Sequence, residues 1–161
     1  MTGIELKLLI LLVAANGAPI IARHLLGDRC TWPLDGGRKT SSGQPILGSS
    51  KTWRGIVAAL LLTPAVAYLL GIDWHWGMII GGLAMLGDII ASFVKRRLGL
   101  PPSSQAIGLD QIPESLVPLL AIAPFYPLKW WSVLIVVIAF AVVVPLLSRL
   151  FFLVGIRRRP Y

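Results

Sequence analysis

The sequence from residue 74 to residue 97 reads WHWGMIIGGLAMLGDIIASFVKRR, and this stretch decides the fold. Trp74–Val94 gives 21 residues with a single acid, Asp88. That length of apolar helix is enough to cross the hydrocarbon core of a bilayer. Three bases follow at once, and bases flanking an apolar segment are typical of the cytoplasmic end of a membrane helix. The stretch therefore predicts an integral membrane protein.

The composition of the whole chain agrees with this interpretation. Of 161 residues, 56% are hydrophobic and 14% are charged, against roughly 25% charged residues in an ordinary soluble domain. The net charge is +8 and the mean hydropathy is +0.79. In so apolar a chain, a surplus of bases favours membrane lipids or a phosphate-bearing substrate as partners, and argues against nucleic acid. Cys30 is the only cysteine, which excludes an internal disulfide and a cysteine-based zinc site.

Four further apolar segments predict an all-α bundle of about five transmembrane helices, formed by one domain that covers residues 1–161. These segments are Leu8–Ala22, Gly55–Ile72, Ser115–Leu128 and Trp130–Ser148, the last running on toward Ile156. Three prolines interrupt the third of them, so we expect an interior, kinked helix there. The first segment follows Glu5 and Lys7 rather than a basic cluster, so we interpret it as a retained span and not as a cleaved signal peptide.

The distribution of bases predicts how the protein sits in the cell membrane. Six Lys and Arg residues lie in a long first loop at about 23–54, three more open the third connection, and three end the tail at 157–159. The second connection has none and the fourth has only Lys129. The positive-inside rule then predicts an outside N-terminus, a cytoplasmic C-terminus and a first loop on the cytoplasmic face. A loop of this length is commonly functional.

Asp88 is the most informative residue, because a carboxylate deep in an apolar span costs about 3 kcal/mol unless it faces the interior or binds a partner. Ser92, Lys95 and Arg96 lie on the same helix face. Asp110 opens the fourth segment from the same side, and two converging carboxylates suit Mg²⁺. Plainer interpretations stay open, since Asp88 could pair with a base for topology alone and Asp110 could cap a helix.

The stretch at 48–55, GSSKTWRG, precedes the second segment. Lys51 and Arg54 would point the same way at a helix start, and Thr52 could cap the helix or contact a phosphate. The Gly-x4-Gly-Lys-[Ser/Thr] pattern is missing and no strand precedes the stretch, which excludes a nucleotide-binding P-loop. The alternative is a basic anchor beside the membrane.

Three motifs follow one another along the chain: Lys51-Thr-Trp-Arg-Gly55, Gly87-Asp88-x3-Ser92-x2-Lys95-Arg96-x2-Gly99, and Leu109-Asp110-Gln111. Together with Asn16-Gly-Ala-Pro19 and Pro33-Leu-Asp35-Gly-Gly-Arg38, they resemble the CDP-archaeol synthase family of membrane cytidylyltransferases, which is related to the CDP-diacylglycerol synthases. Two positions depart from the family pattern. Ser49-Ser50 replaces an acidic residue, and Pro113-Glu114 stands where the family has a second Asp, so that Glu114 could take the place of that Asp from a shifted position.

The resemblance implies an enzyme of phospholipid biosynthesis that transfers CMP from CTP to a lipid phosphate, similar to 2,3-di-O-geranylgeranylglyceryl phosphate, and releases pyrophosphate. We assign Mg²⁺ to Asp88 and Asp110. The phosphates of CTP and lipid are assigned to Lys51, Arg54, Lys95 and Arg96. Further contacts are assigned to Thr52 and Ser92 and, in the first loop, to Asp35 and Arg38.

Other functions stay open at this stage. A related enzyme could act on phosphatidic acid or another lipid phosphate. A CDP-alcohol phosphotransferase would need an Asp-Gly-x2-Ala-Arg run, which the chain lacks. A non-enzymatic lipid-binding or transport subunit would make Asp88 dispensable. The sequence determines neither the lipid nor the oligomeric state.

Overall fold

The computed structural model describes residues 3–156 as a bundle of five helices, which confirms the all-α prediction. In chain order they are α1 (Gly3–Leu26), α2 (Trp53–Leu69), α3 (Trp74–Arg97), α4 (Gln111–Ile122) and α5 (Trp130–Leu153). The three tail bases at 157–159 lie outside the described residues.

Three of these helices are long and apolar enough to cross a membrane, namely α1, α3 and α5. Each has 24 residues, or about 36 Å of helix. Helix α2 has 17 residues and α4 has 12. The outer surface of the bundle carries many exposed large apolar side chains, such as Leu61, Leu120 and Val142. An apolar exterior of this extent is typical of a surface that faces lipid.

The fourth helix differs most from its predicted bounds, because the sequence predicts 115–128 and the helix covers Gln111–Ile122. It begins earlier since the polar residues at its start belong to the helix, where they are buried. It ends earlier because Pro124 and Pro127 cannot continue a helical hydrogen-bond ladder. The chain instead turns through residues 123–127. The predicted interior position is confirmed, since Leu119 and Ile122 are fully buried.

Helix α4 and the turn after it run antiparallel to α3. Glu114 lies against Asp88, and Tyr126 packs edge-on against Trp76. Twelve residues separate Trp76 from Asp88 on α3, and twelve also separate Glu114 from Tyr126 on α4 and its turn. Hence α4 with its turn accompanies α3 over that length, and the start of α4 is held at the α3 end that carries the charged residues.

Glycines on α3 let the neighbouring helices approach closely. A Cβ added at Gly77 would lie 2.6 Å from the Cβ of Ala67 on α2. A Cβ added at Gly87 would lie 2.2 Å from the carbonyl oxygen of Pro113 and 2.8 Å from the Cα of Glu114 on α4. Small residues at such crossings allow backbone-to-backbone packing in membrane bundles. Gly87 therefore sets how closely Glu114 approaches α3.

The first loop covers residues 27–52, a little less than the sequence predicts. It is folded rather than extended. The Leu34 N–H donates to the carbonyl of Lys51 (2.9 Å), and the Trp53 N–H donates to the carbonyl of Trp32 (3.1 Å). This short antiparallel pairing holds Lys51 at the threshold of α2.

Candidate active site

A cavity of about 600 Å³, called the main cavity below, lies at one end of the bundle. At this end α1, α3 and α5 finish and α2 and α4 begin. Four of the helices, α1, α3, α4 and α5, contribute to its wall, together with the end of the first loop just before α2. The structure brings together six of the ten predicted site residues here: Lys51, Asp88, Ser92, Lys95, Arg96 and Asp110.

Two ion pairs cross the main cavity. The Lys51 Nζ lies 2.6 Å from both carboxylate oxygens of Asp88. The Lys95 Nζ lies 2.5 Å from Asp110 Oδ1 and donates to the carbonyl of Ser104 at 2.9 Å. Burial acts to lower the pKa of Lys51, but the facing Asp88 carboxylate outweighs it and raises that pKa above its ordinary value, so Lys51 stays charged. Each predicted cation ligand is thus neutralised by a lysine.

The Asp88 carboxylate has a second neighbour, Glu114, which is 4% exposed and whose carboxyl group interacts with it across the close α3–α4 crossing. Asn16 on α1 donates from Nδ2 to Glu114 Oε2. Asn16 therefore hydrogen-bonds a neighbouring helix, α4. Glu114 enters the site at the position where the sequence departs from the family pattern.

Arg96 differs from Lys51 and Lys95 because it is buried with donor groups that have no partner among the described residues. Its side chain lines the main cavity and only 3% of the residue is exposed. Within residues 3–156, its Nε and Nη1 atoms have no hydrogen-bond partner. Buried donors that stay unpaired are costly, so an anion entering the cavity would find a ready partner in Arg96.

Two of the remaining predicted residues serve the start of α2 and lie outside the lining of the main cavity. Arg54 Nη1 donates to the carbonyls of Gly27 (2.8 Å) and Arg29 (2.6 Å), just beyond the end of α1. Thr52 is the N-cap of α2, and its Oγ1 accepts from the Gly55 N–H at 3.3 Å. The capping alternative therefore describes Thr52, and Arg54 ties the first loop to α2.

The other two, Asp35 and Arg38, belong to the first loop. Asp35 accepts hydrogen bonds from the N–H groups of Gly37, Leu47 and Gly48. Partial burial acts to raise the pKa of Asp35, but these backbone donors outweigh it and lower the pKa below its ordinary value. Arg38 is exposed. Asp35 thus organises the loop that ends at Lys51.

Sequence reasoning missed Arg23 and His24, which also line the main cavity. A signal for them existed, because they lie seven and eight residues after Asn16 and so share its face of α1. The sequence pattern indicates Arg23 only as one of the six first-loop bases that predict the topology.

A smaller, apolar cavity of about 160 Å³ adjoins the main one and is called the side cavity below. It lies between α1 and α5, with Leu62 of α2 in its wall. Four residues line both cavities: Asn16, Ile20, Val144 and Ser148. A charged chamber therefore adjoins an apolar one.

The oxygen donors of the main cavity fit a hard cation. Among residues 3–156, no three His, Cys, Asp or Glu side chains are grouped as a metal site. Mg²⁺ does not require such a group, since it commonly takes one or two carboxylates and completes its coordination with substrate phosphates and water. Asp88 is accompanied by Glu114, and the basic side chains of Lys51, Lys95 and Arg96 line the same cavity, which suits that arrangement.

The fold and the main cavity define a class of protein: a helical membrane protein with a cavity at one end of the bundle that is lined by acidic and basic side chains. The CarS-like CDP-archaeol synthase family model matches residues 1–161. The chain belongs to this family, whose members are CTP-dependent cytidylyltransferases.

Individual relatives agree with the family model. A CDP-archaeol synthase of Thermococcus gammatolerans is 39% identical over 126 residues, covering 71% of this chain and 68% of its own. That of Thermococcus kodakarensis is 36% identical over 129 residues, covering 73% and 70%. A solved structure, described as an intramembrane enzyme for archaeal membrane lipid biosynthesis, superimposes with a TM-score of 0.74 at 27% identity and covers 85% of this chain and 87% of that one.

Proposed function

We propose that this protein transfers CMP from CTP to an archaeal lipid phosphate, similar to 2,3-di-O-geranylgeranylglyceryl phosphate, and releases pyrophosphate. The observation that carries the proposal is the pairing of two chambers. The main cavity holds lysines and an unpaired arginine for phosphate groups, and the side cavity is apolar. A reaction between a nucleotide and a lipid phosphate needs both surfaces side by side.

The chemistry asks for charge neutralisation and positioning more than for a general base. A lipid monophosphate is largely ionised near neutral pH, so one of its oxygens can attack the α-phosphorus of CTP directly. The new oxygen–phosphorus bond forms as the bond to the β-phosphate oxygen breaks, and the electron pair leaves with pyrophosphate. Lys51, Lys95 and Arg96 would hold the crowded phosphates together and stabilise this charge.

We assign Mg²⁺ to Asp88 and Asp110, with Ser92 beside them on the cavity wall. When bound, the cation would neutralise phosphate oxygens and polarise the reacting phosphorus. The two lysines that pair with these aspartates would then be available to the phosphates.

The lipid chains would enter between α1 and α5 through the side cavity. Leu62, Leu147 and Phe151 give it an apolar wall. Asn16 and Ser148 stand where it meets the main cavity, at the level where a phosphate headgroup would pass from the apolar chamber to the charged one.

We propose five crossings of the cell membrane, with the main cavity and the C-terminus on the cytoplasmic side and the N-terminus outside. Supporting this, the bases that precede α2 and follow α3 gather at the cavity end, and Trp74 and Trp130 lie at the opposite end. CTP would then reach the main cavity directly from the cytoplasm.

The proposal is tested with purified protein, labelled CTP and Mg²⁺, offered a panel of lipid phosphates. We expect a labelled CDP-lipid with the isoprenoid ether phosphate and at least tenfold less with phosphatidic acid. Asp88→Asn serves as the inactive control, and Asp73→Asn, at the far end of α3, as the matched active control. Equal turnover of both lipids would overturn the lipid assignment. Lack of transfer to any of them would overturn the proposed function.

A further inference from the structure

One face of α1 follows the main cavity from the middle of the helix to just beyond its end. The residues on this face recur at intervals of three and four, as on one side of a helix: Asn16, Pro19, Ile20, Arg23, His24 and Gly27. Asn16 and Ile20 also line the side cavity. Arg23 lies one turn further, about 4.5 Å along the helix axis from Ile20. This face of α1 therefore leads from the apolar chamber to a basic group in the charged one.

The basic groups of the main cavity differ in what already holds them. Lys51 and Lys95 are paired with Asp88 and Asp110. Arg23 forms no ion pair within residues 3–156, and its side chain is exposed, so an entering anion can reach it. The α1 wall thus carries a positive charge with which no acid in the described part of the chain pairs.

The two substrates of the proposed reaction need different walls of this cavity. The apolar chains of a lipid phosphate belong in the side cavity, between α1 and α5, and the phosphate is attached directly to them. The phosphate must therefore emerge where the two cavities meet, at Ile20 and Ser148. A nucleotide has no such tether and can occupy the wall formed by α3, with Lys95 and Arg96. Within residues 3–156, Arg23 is the only lysine or arginine that α1 and α5 contribute to the lining.

We propose that Arg23 binds the phosphate of the lipid substrate and holds it for attack on the nucleotide. The inference rests on the proposed function and deepens it, because it gives the lipid headgroup a basic residue of its own. Arg23 lies outside the three sequence motifs, which therefore did not assign it.

A guanidinium group suits this task, since it stays charged and donates two parallel hydrogen bonds to phosphate oxygens. A phosphate monoester has three oxygens besides the one that joins it to the lipid. When Arg23 holds two of them, the third is available to attack the α-phosphorus of CTP. The contact thus orients the lipid phosphate as well as binding it.

Two simpler roles of Arg23 predict different results. If Arg23 only fixed the orientation of the protein in the membrane, its removal would leave the binding of both substrates unchanged. If it only attracted anions to the cavity, its removal would weaken the nucleotide and the lipid phosphate alike. A specific contact weakens the lipid phosphate and spares the nucleotide. Arg29 is the matched control, since it lies just beyond α1, is exposed and is not part of the lining of the main cavity.

The first measurement is lipid binding without CTP, on the purified full-length protein in detergent. Labelled 2,3-di-O-geranylgeranylglyceryl phosphate is displaced either by the unlabelled phosphate or by the matching alcohol, which lacks the phosphate. We expect the wild type to favour the phosphate, and Arg23→Met to reduce this preference by about tenfold. Arg23→Lys should keep the preference within about threefold of wild type, because it retains the charge but not the fork of donors. Arg29→Met should match the wild type, and all variants should bind the alcohol equally well.

The second measurement is CMP transfer with each substrate varied in turn. Arg23→Met should raise the KM for the lipid phosphate by about tenfold and leave the KM for CTP unchanged. Because the contact exists before and during the attack, kcat should change less than this KM. Arg23→Lys should restore most of the lost affinity for the lipid phosphate.

The outcomes separate this inference from the proposed function. An equal rise of both KM values in Arg23→Met, or an unchanged preference for the phosphate over the alcohol, would overturn the role of Arg23 while CMP transfer by the wild type stands. Lack of transfer by the wild type to any lipid phosphate would overturn the proposed function, and the binding comparison would still decide whether Arg23 contacts a lipid phosphate.

The same binding comparison with phosphatidic acid and diacylglycerol covers the alternative lipid. A wild type that binds phosphate and alcohol equally in both lipid pairs would overturn the inference. If Arg23→Met fails to fold, Arg23→Gln takes its place in both measurements, with the same expected results.

Discussion

The two ends of the bundle differ in almost every physical property. At the cavity end, Lys51, Lys95 and Arg96 are buried or half-buried around carboxylates, and the connections before α2 and α4 are long. At the other end the connections are short. Trp76 packs there on Phe125 and Tyr126.

This difference shows how a strongly apolar chain keeps its charged site apart from the aromatic surface that anchors it in the membrane. Buried charges are tolerated mainly in pairs or clusters. Most of those in the described chain lie at the cavity end, where several helix ends meet, and Glu5 is a buried carboxylate at the other end. Aromatic side chains at the far end suit the boundary between lipid and water, where one side of the ring is apolar and the other is wet. The predictions below test whether only the first end is needed for catalysis.

The largest effect should come from Gly87→Ala. The added Cβ would lie 2.2 Å from the Pro113 carbonyl oxygen. Because this oxygen belongs to the backbone of α4 and cannot rotate away as a side chain can, α3 and α4 must separate. Overpacking of this kind costs about 1–3 kcal/mol or more, and it moves Glu114 away from Asp88. We expect lower thermal stability and a loss of CMP transfer of at least about a hundredfold.

Gly82→Ala is the matched control on the same helix. A Cβ there would lie 3.6 Å from Leu60 Cδ2, an ordinary contact, and alanine favours helix more than glycine. We expect equal or higher stability with activity retained. Similar losses in both variants would show that α3 is merely intolerant of side chains and that the Gly87 crossing has no special role.

The next effect concerns Arg96 and compares it with its neighbour. Arg96 faces the main cavity with unpaired donors, whereas Arg97 is exposed, donates to the carbonyl of Pro45 at 2.9 Å and stacks over Phe93. Loss of a charge-assisted phosphate contact costs about 1.5–3 kcal/mol. Arg96→Met should therefore raise the KM for CTP by roughly 10- to 100-fold, and Arg97→Met should change it much less. Equal effects would favour a basic face that only attracts anions.

The comparison of these two arginines also shows how much of the candidate site the sequence can predict. Helical spacing placed Ser92, Lys95 and Arg96 on the Asp88 face, and the structure confirms that all four line one cavity. Spacing could not reveal that Arg54 ties down a loop, because this depends on where α1 ends. Nor could spacing show that Glu114 meets Asp88, since this contact depends on the close helix crossing at Gly87. Local pattern thus identifies faces, whereas tertiary packing decides which residues meet.

A smaller, pH-dependent effect is expected for the first loop. Because backbone donors hold the pKa of Asp35 below its ordinary value, its stabilisation of the loop is fully present above the unfolded-state pKa of about 3.9. It is lost as the pH falls through the lower folded-state pKa. The protection factors of the Leu47 and Gly48 amides, corrected for the intrinsic exchange rate at each pH, should therefore stay high near pH 5 and fall in stronger acid.

Asp35→Asn gives the comparison for this pH dependence. An asparagine at this position keeps an acceptor but does not titrate in this range, so its loop should exchange faster near pH 5 and show little further change in acid. An unaltered pH profile in the variant would place the titrating group elsewhere.

The smallest effect is expected at the aromatic end, with Trp130→Phe. Trp130 is 74% exposed, and its ring meets that of Trp131 edge-on with 5.8 Å between the ring centroids. Phenylalanine keeps the apolar body and loses the indole N–H, which favours the membrane interface. The free energy of unfolding should change by less than about 0.5 kcal/mol, and CMP transfer should be unchanged within twofold. Because Trp130 begins α5, whose other end borders both cavities, a large loss of transfer would mean that the position of α5 in the membrane controls the site, and the two ends would then be coupled rather than separate.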